Sequence, residues 1–197
     1  MAEQNEDPIQ EVGDDDTDNP NYRPPAQKTL TEIQKLDEDD ESLQKYKKTL
    51  LGEVSDPPKP DDPRNVIVEK LAFCSEGRPE IEMDLSGDLS KLRTFIVKEG
   101  TQYKIKIYFY VQREIVSGLV YKQKIVRKGI KVENMKMMVG SYGPKKDLNC
   151  YTTSLEDVPS GMLARGTYTI KSQFTDDDKN NYLEWQFGME IKKDWEN

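Results

Sequence analysis

The chain has 197 residues, 29 lysines and arginines against 37 aspartates and glutamates, a formal net charge of -8 at pH 7 and no histidine. The missing histidines exclude Ser-His-Asp and Cys-His nucleophile systems and most catalytic zinc sites. The glycines form no phosphate-binding loop, no basic stripe suits nucleic acid, and no apolar run approaches the ~18 residues of a spanning helix. The composition therefore predicts a non-enzymatic protein with no cofactor, no metal and no stable membrane insertion.

Charge is unevenly placed. Met1–Asp62 holds 18 acids and 7 bases, whereas the remainder holds 19 and 22. Within that acidic third, Met1–Pro20 has eight acids, no base and almost nothing apolar, which predicts a disordered tail that favours basic partners. Its first ten residues lack the apolar stretch of a secretory signal, so a cytoplasmic location is expected.

Residues 21–52 carry two short amphipathic helix patterns. Thr29 and Glu32 have the spacing of a capping box, followed by Leu30, Ile33 and Leu36 on one face. The acidic run Asp37–Glu41 ends this helix and offers Asp39 or Asp40 as the cap of a second, on which Leu43, Tyr46, Leu50 and Leu51 share a face before Gly52 stops it. Each helix is shorter than the ~12–15 residues at which isolated helices become marginal in water. Their apolar stripes must therefore pack either on the chain's own C-terminal domain or on a partner. Residues 53–64 contain four prolines and several acids, a linker that cannot hold a helix or a central strand.

From residue 65 to 197 the pattern alternates with period two. Val66–Phe73 is a β-branched run, Ile81, Met83 and Leu85 alternate with polar residues, and Phe95–Val97 precedes a turn at Glu99 and Gly100. Tyr103, Ile105, Ile107, Phe109 and Val111 then point one way and Lys104, Lys106, Tyr108 and Tyr110 the other, the clearest strand in the chain. Ser117 and Gly118 are expected to break it, with Leu119–Arg127 a further strand and Lys128 and Gly129 a turn before Ile130 and Val132. Met137–Tyr142 and Leu148–Thr152 read as shorter strands, and Tyr168–Phe174 and Leu183–Ile191 as long ones. About nine strands with short connections predict an all-β fold, an antiparallel immunoglobulin-like sandwich preceded by the flexible helical arm. The inward aromatic and methionine stripes fit a plain core or a sandwich that opens between its sheets to take a lipid. Cys74 and Cys150 are expected as free thiols in or near the core. The carboxylate run in Phe174–Lys179 lacks EF-hand ligand spacing and reads as a solvated turn.

The segments YRPPAQKTLTEIQKLDEDDESLQKYK from Tyr22, REIVSG from Arg113, MVGSYGP from Met138, GMLARGTYTIKSQFTDDDK from Gly161 and IKKDW from Ile191 closely resemble the Rho GDP-dissociation inhibitor family. That resemblance implies an immunoglobulin-like domain whose sheets part for a geranylgeranyl group, and an arm that lies on the switch regions of a prenylated, GDP-bound Rho- or Rac-type GTPase. It implies GTPase contacts at Tyr22, Asp40, Ser42 and Tyr46 on the arm and at Asp178 on the body. It implies a prenyl pocket lined by Phe73, Phe95, Tyr103, Ile115, Met137, Ile170 and Phe187, with Glu156 and Asp157 near its mouth meeting the GTPase's basic tail. Phe187 replaces a common tryptophan and Met137 a common tyrosine, changes that keep apolar bulk but lose a polar handle. A general prenyl-lipid carrier, indifferent to nucleotide state, is the alternative; capped helices with acidic faces favour a reader of protein surfaces.

Overall fold

The computed structural model describes residues 57–195 apart from Leu92, together with Glu41, Ser42 and Lys45. Those three arm residues are helical, and Glu41, Ser42 and Lys45 are all exposed. Tyr22, Asp40 and Tyr46, like the rest of the arm and the acidic tail, lie outside the described residues.

Ten strands follow: β1 Val66–Ser75, β2 Ile81–Asp84, β3 Thr94–Lys98, β4 Gln102–Val111, β5 Val116–Arg127, β6 Ile130–Tyr142, β7 Asn149–Thr152, β8 Glu156–Asp157, β9 Gly166–Thr175 and β10 Asn181–Lys192. They form two sheets, one in the order β2-β1-β4-β7 with β8 also pairing β4, the other in the order β3-β10-β9-β5-β6. Alternation decides which side chains meet between them. Tyr103, Ile105, Ile107, Phe109 and Val111 of β4 face Tyr168, Ile170 and Phe174 of β9 and Trp185, Phe187, Met189 and Ile191 of β10 in one buried cluster. Each such side chain contributes about 1.5–3 kcal/mol on burial, and a one-residue slip of any strand would turn its whole set to solvent.

The sandwich is antiparallel except at one place, where β3 runs parallel to β10 with Phe95 opposite Met189. The break after β4 lies at Gln112–Ile115, with Arg113 in the left-handed region at φ 70°. Its cause is Gln112, a buried polar side chain whose Nε2 donates to the carbonyls of Asp62 (2.8 Å) and Arg64 (2.7 Å). Its Oε1 accepts from the Lys59 amide at 3.2 Å. Burying the amide is tolerable because these bonds are made, and they fix the end of the proline-rich segment to the body.

Ser117 and Gly118, expected as a break, instead sit inside β5 as a bulge, where the register shifts between Val116 and Leu119. Gly118 has φ 62°, a conformation glycine adopts at no steric cost. Met137–Tyr142 is likewise not a separate short strand but the second half of β6, which continues through polar Lys131–Lys136 because it is an edge strand with much of its length in solvent. The two-residue β8 was not expected. Cys74 and Cys150 are both free thiols, but only Cys74 is half-buried; Cys150, expected in or near the core, alternates outward on β7 and is exposed.

Candidate lipid-binding core and partner-facing turns

Four of the residues expected to line a pocket form one stack between the sheets. The Phe73 ring lies 4.9 Å from Tyr103 and 5.5 Å from Phe95, both stacked, and Phe95 meets Phe187 edge-on at 5.4 Å. The strands explain the meeting. Phe73 pairs with Ile105 across β1 and β4, Phe95 with Met189 across β3 and β10, and Phe187 with Ile170 across β10 and β9. Ile170 is fully buried behind them. Rings at these separations are in contact and gain about 0.5–1.5 kcal/mol per pair beyond the area they bury. The space a lipid would take is thus filled by side chains of the protein itself.

The remaining expected residues divide. Met137, on β6, is half-buried against the same core. Ile115 is not with the rings: it lies in the connection after β4, at the opposite end of that strand from Tyr103, and is 39% exposed. The residue that pairs with Ile170 on β5 is Ile125, buried and not singled out by sequence, although its place in the alternation of Leu119–Arg127 marks it as inward.

Tyr103 marks where the stack reaches the surface. It is 6% exposed and pairs with Glu156 of β8, while Asp157 pairs with Gln102. Burial, reinforced by the charges of Glu156 and then Glu133, pushes its phenol up to about 12. Glu156 stands opposite Tyr103 at this end of the stack, and Gln102 Nε2 donates to the Asp157 carboxylate at 2.9 Å. Glu133 is exposed on the β6 edge, and no periodicity shows that its charge acts on Tyr103. Carboxylates at an apolar opening can hold a cationic segment attached to a buried lipid.

At the far end of β9 lies the acidic turn Asp176–Asn180. Asp176 is buried and organises it: its carboxylate accepts from the Asn180 amide (2.9 Å), Asn180 Nδ2 (2.8 Å) and Tyr182 Oη (2.5 Å). Lys179, at φ 65°, donates its amide to the Asp176 carbonyl at 3.2 Å. Held this way, the turn leaves Asp177 exposed and Asp178 half-exposed. The sequence showed three equivalent carboxylates; the fold makes the first a scaffold and the other two surface.

A cleft of about 650 Å³ on the outer face of the β2-β1-β4-β7 sheet is lined by Glu69, Lys70, Glu82, Asp84, Arg93 and Tyr110 among others. Its charged walls unsuit it to a hydrocarbon chain.

A family profile described as RHO protein GDP dissociation inhibitor matches residues 7–194. Rho GDP-dissociation inhibitor 1 of Homo sapiens is 50% identical over 184 residues, covering 92% of this chain and 90% of that protein. Its counterpart in Rattus norvegicus is 51% identical over 185 residues, with the same two coverages of 92% and 90%. Rho GDP-dissociation inhibitor 3 of Bos taurus is 47% identical over 180 residues, covering 90% of this chain and 80% of that protein. With a profile match along nearly its whole length and relatives at about half identity, the chain belongs to the RHO protein GDP dissociation inhibitor family.

Proposed function

We propose that this protein binds prenylated, GDP-bound Rho-type GTPases, slows their loss of GDP and removes them from membranes. The sandwich takes the geranylgeranyl group between its sheets, where Phe73, Phe95, Tyr103 and Phe187 give way to it beside Ile170 and Met137. Glu156 and Asp157 meet the basic residues that precede the lipid. Tyr22, Asp40, Ser42 and Tyr46 of the arm lie on the switch loops and restrain them, and Asp178 meets the same GTPase from the body. The role is that of a cytoplasmic regulator, not of an enzyme.

The observation that carries this reading is the apolar ring stack at one end of the inter-sheet space, whose outermost ring, Tyr103, pairs with Glu156 of β8. Transfer of the lipid alone is nearly neutral, since a buried CH₂ gains ~0.8 kcal/mol in a bilayer and a comparable amount in an apolar pocket. Net extraction must come from contacts the membrane lacks, which are those of the arm, Asp178 and the acidic mouth. The test is GDP release from a prenylated Rho-type GTPase, and its sedimentation with liposomes, with and without the full chain. Slower release and loss of GTPase from the liposomes are expected. Lipid binding with unchanged GDP release would overturn the regulatory reading and leave a lipid carrier.

A further inference from the structure

The loop Gly161–Arg165 is tied down yet exposes its two largest apolar side chains. Glu99 accepts from the Gly161 amide (2.9 Å) and from Arg165 Nε (2.9 Å) and Nη2 (2.6 Å). The Ala164 amide donates to the Gly161 carbonyl at 3.0 Å, and Tyr168 Oη donates to the Ala164 carbonyl at 2.7 Å. Arg127 stacks its guanidinium over the Tyr168 ring at 4.9 Å and donates to the carbonyls of Leu163 and, at 2.5 Å, Arg165. Within this frame Met162 is 83% exposed and Leu163 90% exposed. A loop fixed at so many points has a definite shape, and exposed apolar bulk on it marks a contact surface.

Arg127 also brings a second turn alongside. Arg127 pairs with Ile130 across the two-residue turn Lys128 and Gly129, both at positive φ (49° and 79°), and Ile130 is 72% exposed. The cations at this tip are Arg127, Lys128 and Lys131; among the described residues none of them pairs with a carboxylate, and Arg165 is neutralised by Glu99. The same end of the sandwich holds the opening beside Tyr103, because the loop follows β8 by a few residues and Gly100 donates its amide to the Val158 carbonyl at 2.9 Å.

We propose that these two turns form a membrane-contact tip, which sets Met162, Leu163 and Ile130 into the interface of an anionic bilayer while Lys128 and Lys131 meet lipid headgroups. Apolar side chains at convex turn tips flanked by cations suit a soft interface with negative charge. The chain's net charge of -8 opposes such binding as a whole, and Glu133, Glu156 and Asp157 oppose it at this same end, so contact must be confined to the two turn tips, with this end towards the membrane. That orientation places the inter-sheet opening at the lipid surface. The inference needs only a bilayer and does not depend on any GTPase.

The test is co-sedimentation of the full chain with vesicles of phosphatidylcholine containing about one quarter phosphatidylserine, beside vesicles of phosphatidylcholine alone. Each basic residue near an anionic surface contributes ~1 kcal/mol, roughly fivefold, so Lys128→Gln with Lys131→Gln should lower partitioning about 25-fold. Met162→Ser with Leu163→Ser should lower it at least tenfold, and on exposed side chains neither pair should move the melting temperature; Leu163→Ser alone serves as the check if that pair melts early. Equal partitioning of the protein and its variants, or equal binding to both vesicle types, would overturn the proposal. So would dimers in sedimentation velocity that vanish in the Met162/Leu163 variant, which would give the patch to a second copy of the chain.

Discussion

Phe73→Ala tests whether the ring stack is the closed state of a lipid site. Phe73 is 3% exposed and is the ring shared by the Tyr103 and Phe95 contacts. Removing it should cost about 3–5 kcal/mol, combining lost burial with the cavity left behind. A domain in the upper part of the ~5–15 kcal/mol range stays folded after such a loss, with its melting temperature lowered on the order of 10–20 °C. A lipid lying between the sheets must displace these rings, so the bound state has already given up most of what the substitution removes. The penalty therefore falls on the free protein, and binding is relieved of part of the cost of opening. Thermal melts with and without a geranylgeranylated peptide separate the two states, because ligand stabilises by RT ln(1 + [L]/Kd). The expected result is a lower melting temperature without ligand and a larger upward shift with it than in the parent protein. If affinity for the peptide instead falls by as much free energy as stability does, Phe73 is a wall of the lipid site and not its plug, and the reasoning fails.

Gly118→Ala should destabilise by about 1–2 kcal/mol through left-handed strain alone, and more if the neighbouring turn must move, since the added Cβ would stand 1.8 Å from Asp177 Oδ2; a neutral result in urea denaturation would contradict the described bulge. Tyr103 holds its proton to about 12, above the ordinary value near 10, so its contribution is intact below about pH 10 and is lost as pH rises through about 12, a change of roughly 2–3 kcal/mol. Tyr103→Phe should flatten that alkaline limb of the stability curve, and an unchanged limb would remove Tyr103 as its cause. Burial, and then the charge of Glu80, pushes the half-buried Cys74 thiol up to about 11, so at pH 8 a thiol reagent should modify exposed Cys150 first. Equal rates at the two, read by mass spectrometry, would refute that difference in environment.

What the sequence made legible follows the range of each signal. The alternation in Tyr103–Val111 and Leu183–Ile191 is local, and both strands stand where it placed them. Gln112 was opaque: a glutamine beside Arg113 and Glu114 reads as surface, and only the fold supplies the carbonyls that let it be buried. Gly118 signalled an interruption correctly but not its kind, since a bulge and a strand end use the same residue for the same backbone freedom. The parallel pairing of β3 with β10 joins segments about ninety residues apart, which no periodicity encodes. Phe73, Phe95, Tyr103, Ile170 and Phe187 converge because each is inward on its own strand. Ile115 sits in a connection, where alternation places nothing. Met162 and Leu163 stood in the sequence only as part of a motif, and their exposure depends on Arg127 and Glu99 from other strands.

The two ends of the sandwich have different chemistry, and the chain is routed accordingly. Gln112 fixes the segment leading from the arm at the end where β4 stops and β5 begins. The approach of Gly118 to Asp177 puts the acidic turn at that same end, so whatever the arm and Asp178 engage can be one body. Ile115 belongs to this end too. The opening beside Tyr103 lies at the other end, one length of β9 away: ten residues, or about 30 Å at ~3.3 Å per residue. A partner held at the acidic turn can deliver a lipid there only through an extended segment of roughly nine residues or more. A globular surface cannot follow that path, whereas a flexible C-terminal tail can. Under the proposed function, Glu156, paired with Tyr103 at the end of that path, would act on the part of the tail next to the lipid. On that same reading, the length of the sandwich would therefore favour a lipid on a long tail, and the distance from the acidic turn would exclude a lipid attached close to a folded domain.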